Sequence, residues 1–277
     1  MSREDSRTGG AIATVPPPET VERAIGLDIG ATKWLAIADG HLEVEGQVHD
    51  DPARTLADVL ARVAPVHARA TLACSFAGVM DRNGAVESWP NRSSWSGFRL
   101  AQALATAGPV VVEDDGLCAA IGERMRGVAR DAESFVCITI GTGIGSGLFL
   151  GGRPRRPLPG RPAGIGHVRA GLHQPCGCGG TGCLQAALLD DLATASFDAA
   201  ARRFAEMVAD LAILLDLQAI VLTGGRLARD DRLRASLADA LARELSGLSC
   251  EVRVSADPTR SAAFGAQILA AGWQEPA

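Results

Sequence analysis

The chain has 277 residues, a formal net charge of −5 and 47% hydrophobic residues, which is long enough for two lobes with separate cores. Its acidic balance excludes nucleic acid as the main partner, because phosphate backbones call for a basic face. No apolar run reaches the length of a membrane span, since the strongest are interrupted by Gly, Asp or Thr.

Residues 1–23 read as a disordered tail, and nothing in residues 1–20 has the apolar core of a signal peptide. Residues 24–38, AIGLDIGATKWLAIA, predict a strand over 24–28, a glycine turn and a second strand over 34–38. The turn carries Asp28, Gly30, Thr32 and Lys33. Amides and a hydroxyl in such a hairpin can hold phosphate oxygens, and a carboxylate can hold the accompanying Mg²⁺. Lys33 is the sole lysine of the chain and a candidate phosphate contact. Taken alone, the pattern fits a plain structural hairpin equally well.

Helical periodicity follows at 53–65, a strand at 71–75, a helix at 99–107 and a strand at 110–113. That strand runs into Glu113-Asp114-Asp115-Gly116, placing carboxylates at its carboxyl end, where α/β proteins keep their chemistry. A helix is predicted over 117–129, and Asp115 is also placed to cap it. Residues 135–150, FVCITIGTGIGSGLFL, repeat the strand–turn–strand device, with strands at 135–140 and 146–150. Gly141, Thr142, Gly143, Gly145 and Ser146 lie in its turn. Two such hairpins point to two similar α/β halves facing a nucleotide.

Residues 164–185, GIGHVRAGLHQPCGCGGTGCLQ, gather Cys176, Cys178 and Cys183 among glycines that let closely spaced thiolates converge. Three thiolates and one imidazole form a structural zinc set with no open position; the competing reading is a redox or disulfide cluster. His167 and His173 both lie upstream as the fourth ligand. Cys74, Cys118, Cys137 and Cys250 sit in apolar contexts as core residues of a chain from a reducing cytoplasm. Residues 186–216 predict two helices broken near Ser196, with an apolar stripe that suits either core or a dimer surface. A strand at 219–222 leads into Gly224 and Gly225, a turn open to a flat ligand such as adenine. A helix at 230–246, a strand at 251–254 and a closing helix at 261–272 complete the alternation of an α/β protein.

These motifs resemble those of the ROK family of the actin-like ATPase superfamily, from about residue 24 to about residue 272. GLDIGATK matches the first phosphate motif, IGTGIGSG the second and IVLTGG the adenosine motif. The zinc signature matches GH followed by CGCGGTGC, which implies His167, Cys176, Cys178 and Cys183 as ligands and leaves His173 in a loop. The resemblance implies two actin-like (ribonuclease H-like) lobes around an interdomain cleft: a small lobe of 24–114 with the closing segment 261–277, and a large lobe of 115–260 with the zinc motif. It implies ATP with Mg²⁺ as donor, a homodimer, and phosphorylation of a hexose 6-hydroxyl with Asp115 as general base. Asp28, Gly30, Thr32, Lys33, Gly141, Thr142, Gly143, Gly224 and Gly225 fall at the nucleotide. Gly78, Asn91, Asp114, Asp115, His167 and Gln185 fall at the sugar.

The departures from the family pattern carry the specificity. Asp114 and Leu117 each replace an Asn, Gly164 replaces a sugar-binding Glu before Ile-Gly-His, and Gln185 replaces the Glu after Cys-Leu. Two carboxylates are lost from the sugar pocket and one is gained beside the base. An acid at 114 suits an ammonium group, which points to an amino sugar such as kanosamine. The alternatives are a glucokinase or N-acylhexosamine kinase with a remodelled pocket, and a non-catalytic sugar-sensing regulator. Family repressors carry an N-terminal winged-helix segment, for which the residues before the first phosphate motif are too few.

Overall fold

The structure, a computed structural model, describes residues 24–38, 42–67, 70–156, 164–170, 173–193 and 197–275. The tail read as disordered lies outside these residues, as does the helix break near Ser196.

The first half opens with β1 (Ala24–Ile29), β2 (Lys33–Ala38) and β3 (Leu42–Gln47), followed by α1 (Pro52–His67) and β4 (Thr71–Phe76). A small hairpin, β5 (Val79–Met80) and β6 (Val86–Ser88), a 3-10 turn at Pro90–Trp95 and α2 (Leu100–Leu104) lead to β7 (Val110–Asp114). The second half has α3 (Asp115–Met125), β8 (Phe135–Ile140), β9 (Ile144–Leu150) and β10 (Arg153–Pro154). It continues with a 3-10 turn at Ile165–His167, α4 (Leu184–Ala193), α5 (Phe197–Leu214) and β11 (Ala219–Thr223). It closes with α6 (Asp231–Glu244), β12 (Glu251–Val254) and α7 (Ser261–Ala270).

Each half forms a five-stranded mixed sheet, ordered β3-β2-β1-β4-β7 and β10-β9-β8-β11-β12. The orders are the same device twice: an antiparallel hairpin in the middle, extended on one side by parallel strands. Central strands such as β4 and β11 are apolar runs because both of their faces are covered. β1, β4 and β7 end side by side, which brings Asp28 level with Ser75, and Phe76 level with Asp114.

Several elements differ from expectation at their ends. The predicted helix at 99–107 is α2 followed by a 3-10 turn, Ala105–Ala107. The helix predicted from 117 begins two residues earlier, at Asp115, and ends at Met125. The exposed strand β3 and the short hairpin β5–β6 have no counterpart in the sequence reading; β3 carries Glu43, Glu45 and Gln47, and the two- and three-residue runs of β5 and β6 are too short to show a period.

One core lies on the first sheet, with Leu56, Val59 and Val63 of α1 at helical spacing. A second lies under the other sheet and takes up Phe204, Ala205, Val208, Ala209 and Ala212, so the α5 stripe is core. Helices α3 and α7 run between the sheets: Ala266 and Cys118 pack with Ala24 and Ala73, while Ile268 and Leu117 pack with Phe135 and Val221. They touch backbone to backbone, since a Cβ on Gly265 would fall 1.7 Å from the Cys118 carbonyl oxygen and one on Gly122 2.1 Å from that of Ser261. Buried Glu123 joins them, accepting from the Ser261 hydroxyl at 2.5 Å and from the Val128 N–H at 3.0 Å. No helix among the described residues is long and apolar enough to cross a membrane.

Candidate active site

A cleft of about 760 Å³ is lined from both sheets, within the size range of small-molecule sites. All the residues singled out at the nucleotide and the sugar line it: Asp28, Gly30, Thr32 and Lys33; Gly78 and Asn91; Asp114 and Asp115; Gly141, Thr142 and Gly143; His167 and Gln185; Gly224 and Gly225.

Asp28 sits near the end of β1 and accepts from the Ser75 hydroxyl at 2.6 Å. Burial pushes its carboxyl up to about 6, against the opposing pull of Ser75 and the charge of Lys33. The Lys33 ammonium is bonded to Glu45 of β3 at 2.9 Å, an exposed pair along the sheet edge. The same hairpin is tied to the next wall of the cleft, because Arg92 donates through Nε to the Ala31 carbonyl at 2.9 Å and pairs with Asp50 at 2.5 Å. Arg92 neighbours Asn91 in the loop between Trp89 and Trp95, two buried rings of which Trp95 stacks on Phe76 and Trp89 meets it edge-on. Gly78 leaves room for them; a Cβ there would fall 2.5 Å from the Phe76 ring.

The cap of α3 is Asp114 rather than Asp115. Asp114 Oδ1 accepts the Leu117 N–H at 3.0 Å, and Asp115 is the first helical residue, whose Oδ1 accepts the neighbouring Gly116 N–H at 2.8 Å. The N-cap position belongs to Asp114, so the capping role read for Asp115 is corrected to its neighbour. Burial raises both carboxyls; for Asp115 the nearby charges of Asp114 and Asp28 raise it further, well above the usual range. Three carboxylates therefore share a partly dry site that favours a cation among them.

Strand β9 of the second hairpin is packed against α3. A Cβ on Gly116 would fall 2.5 Å from Ser146 backbone, and one on Gly147 2.3 Å from the Gly116 carbonyl oxygen. Gln185, at the start of α4, accepts the Ile144 N–H at 2.8 Å and so ties α4 to the turn. At the far end of the cleft, Gly224 takes φ +111 and leaves no room for a Cβ, which would fall 2.5 Å from Ile140 backbone. Beside it Thr223 and Ser261 hydroxyls lie 3.1 Å apart, which links this turn to Glu123 through Ser261. Ser75, Arg92 and Glu123 escaped the sequence reading, since each acts on a residue far along the chain.

His167, Cys176, Cys178 and Cys183 present ligand atoms that all lie within 4.8 Å of one another. Cys176 Sγ is 3.8 Å from His167 Nδ1, and Cys178 Sγ is 3.7 Å from Cys183 Sγ. A tetrahedral centre with bonds of about 2.3 Å to sulfur has edges near 3.8 Å, so the set fits one metal ion. Gly179 and Gly182 turn the chain at φ +84 and +70. Gly177 packs against Pro90, where a Cβ would fall 2.7 Å from the proline ring, so the cysteine loop braces the segment that carries Asn91. His173 lies outside the cluster and outside any helix or strand.

Repeated mixed sheets with a shared cleft and a cysteine–histidine loop define an α/β protein of the ROK kinase fold. The ROK family model matches residues 24–189 and 185–272, and the chain belongs to that family. It is 34% identical over 177 residues to a glucokinase of Streptomyces coelicolor, a match that covers 57% of this chain and 54% of the relative. It is 35% identical over 182 residues to a kanosamine kinase of Amycolatopsis mediterranei, covering 58% and 57%. The matches thus span little more than half the length of these relatives. A crystal structure of a ROK family glucokinase from Streptomyces griseus in complex with glucose and AMPPNP aligns with TM-score 0.77 and 25% identity. That alignment covers 91% of this chain and all of the other.

Proposed function

We propose that the protein is an ATP-dependent kinase of a hexose 6-hydroxyl, acting on an amino sugar such as kanosamine. The observation that carries the reading is Asp115, released from capping by Asp114 and set in the cleft beside Asp28 and the second glycine turn. In this reading residues 24–114 with the closing helix form a small lobe and residues 115–260 a large lobe, actin-like and joined by the cleft.

Asp115 accepts the proton of the 6-hydroxyl as its oxygen attacks the γ-phosphorus, the bond to the ADP oxygen breaks, and the sugar 6-phosphate forms. A raised proton affinity makes Asp115 a stronger base, provided that a cation nearby keeps it ionised at neutral pH. Asp28 is the carboxylate that would hold Mg²⁺ brought with ATP, and the bound ion would supply that charge and neutralise the phosphates. Amides of the turns at Gly30–Thr32 and Gly141–Gly143 receive the phosphates, and Gly224 and Gly225 receive the adenosine. Zinc in the Cys₃His set would be structural, adding folding energy to the loop that braces Asn91. The protein is read as a cytoplasmic homodimer.

The amino sugar rests on Asp114. One of its oxygens is committed to the cap, and an ammonium approaching the cleft side would relieve the crowding of Asp28, Asp114 and Asp115. The kanosamine kinase relative supports the same choice, and the glucokinase relative supports the neutral-hexose alternative. A coupled ADP-release screen over glucose, mannose, N-acetylated hexosamines and free amino hexoses tests it. Asp115→Asn should lose about 100-fold or more in turnover while sugar and nucleotide still bind. A variant that kept most of its turnover would remove Asp115 as the base.

A further inference from the structure

The first sheet is gripped at both of its edges by arginines that lie far along the chain. Strand β3 forms one edge and β7 the other. Arg260, just before α7, pairs with Glu43 of β3 at 2.5 Å and with Asp257 at 3.0 Å. Arg156, just past β10 of the second sheet, pairs with Glu113 of β7 and with Glu275 beyond α7, the latter at 2.7 Å. Its place is set from the second sheet, because the preceding Arg155 N–H donates to the Leu148 carbonyl of β9 at 2.7 Å. Each arginine thus spans two carboxylates, one of them on an edge strand of the first sheet.

The two edges differ in what the carboxylate touches. The Glu43 side chain is 52% exposed, whereas that of Glu113 is 13% exposed and lines the cleft. A pair in water contributes little, but a sheltered carboxylate that loses its partner is left with an uncompensated charge. Glu113 is also bonded to the residues that follow it. Its Oε1 accepts the Asp114 N–H at 3.1 Å, Asp114 Oδ1 accepts the Leu117 N–H at 3.0 Å, and Asp115 between them begins α3. Arg156 lies outside the set of described residues that line the cleft, so its route to the cleft runs through Glu113.

We infer that Arg156 is a positioning residue for Asp115. It reaches from the second sheet to the end of β7, balances the Glu113 charge next to Asp114 and Asp115, and holds the bend at which strand becomes helix. This rests on the kinase reading above, which makes Asp115 the base, and adds to it a residue from the other sheet.

The test sets Arg156→Ala against Arg260→Ala, which opens the matching clasp at the far edge. With sugar and ATP saturating, Arg156→Ala should lose about 10-fold or more in kcat, because a displacement of about 1 Å can cost about 100-fold, while Arg260→Ala stays within about 2-fold of wild type. Arg156→Lys keeps the charge and should recover part of the loss. Glu113→Gln can still accept from Asp114 and removes the stranded charge, so adding it to Arg156→Ala should not deepen the loss. Equal kcat losses in the two alanine variants, or losses from Arg156→Ala and Glu113→Gln that multiply, overturn the inference. Amide hydrogen exchange at Asp114 and Leu117 reads the tie without turnover: Arg156→Ala should speed it and Arg260→Ala should not. Faster exchange with kcat unchanged overturns the inference and leaves the kinase reading standing. Faster exchange in a protein that phosphorylates no hexose overturns the kinase reading and upholds the hold of Arg156 on the start of α3. Unchanged exchange in Arg156→Ala overturns the inference in either case.

Discussion

The two glycine turns occupy the same place in two sheets of the same order, yet they are held differently. The β1–β2 turn is held from outside: Arg92 donates to the Ala31 carbonyl, Val48 N–H donates to that of Thr32, and Lys33 pairs with Glu45. A Cβ on Gly30 would have nothing nearer than 3.4 Å. The β8–β9 hairpin is held by close contact along β9, with Gly147 against the Gly116 backbone and Gly145 against the Thr139 hydroxyl. In the first turn glycine keeps space free above the chain, and in β9 of the second hairpin it lets protein press against protein. One letter in one motif thus serves two different demands.

That contrast can be broken in the second hairpin. Gly147→Ala forces a Cβ to 2.3 Å from the Gly116 carbonyl oxygen and must displace α3, so it should cost about 3 kcal/mol or more in denaturant melts. A wild-type melting curve would show that the close contact is slack.

A comparable effect is expected at the first turn from pH. The Asp28 carboxyl is raised from 3.8 to about 6, so the folded state holds its proton more tightly than the unfolded chain. Its contribution is complete below pH 3.8 and is lost as pH climbs through about 6, a decline of up to about 3 kcal/mol. Asp28→Asn, still able to accept from Ser75, should flatten that part of the profile. Parallel wild-type and variant profiles between pH 4 and 7 would remove Asp28 as the cause.

The smallest change is expected from Gly30→Ala. Ordinary contact distances around its Cβ leave stability within about 0.5 kcal/mol of wild type. Activity should fall nonetheless, through a raised KM for ATP, because the methyl stands where phosphate is expected to pass. An unfolded variant, or one with unchanged KM, would equate the two turns.

What could be read beforehand depended on how many uses a residue type has. Closely spaced cysteines and glycine turns after apolar runs have few, and the loop at Cys176–Cys183 and the turns at Gly30, Gly143 and Gly224 lie where the motifs put them. Strand β3 was illegible because its edge position leaves Glu43, Glu45 and Gln47 exposed, with no run to mark it. The cap of α3 was assigned one residue late because adjacent aspartates are interchangeable as letters. Backbone geometry separates them, turning Asp114 onto Leu117 N–H. Ser75 and Arg92 meet partners 47 and 61 residues away, contacts that local pattern does not encode.

The glycine crossing of α3 and α7 works as a ruler. At Gly265 no side chain of any size fits over Cys118, so the helices cannot slide by a residue without placing Phe264 or Ala266 at the contact. Asp115 begins one helix and Ser261, bonded beside the Thr223–Gly224 turn, begins the other. The separation between the acidic end of the cleft and the Gly224 end is therefore graduated in backbone atoms. Side-chain drift cannot lengthen or shorten it.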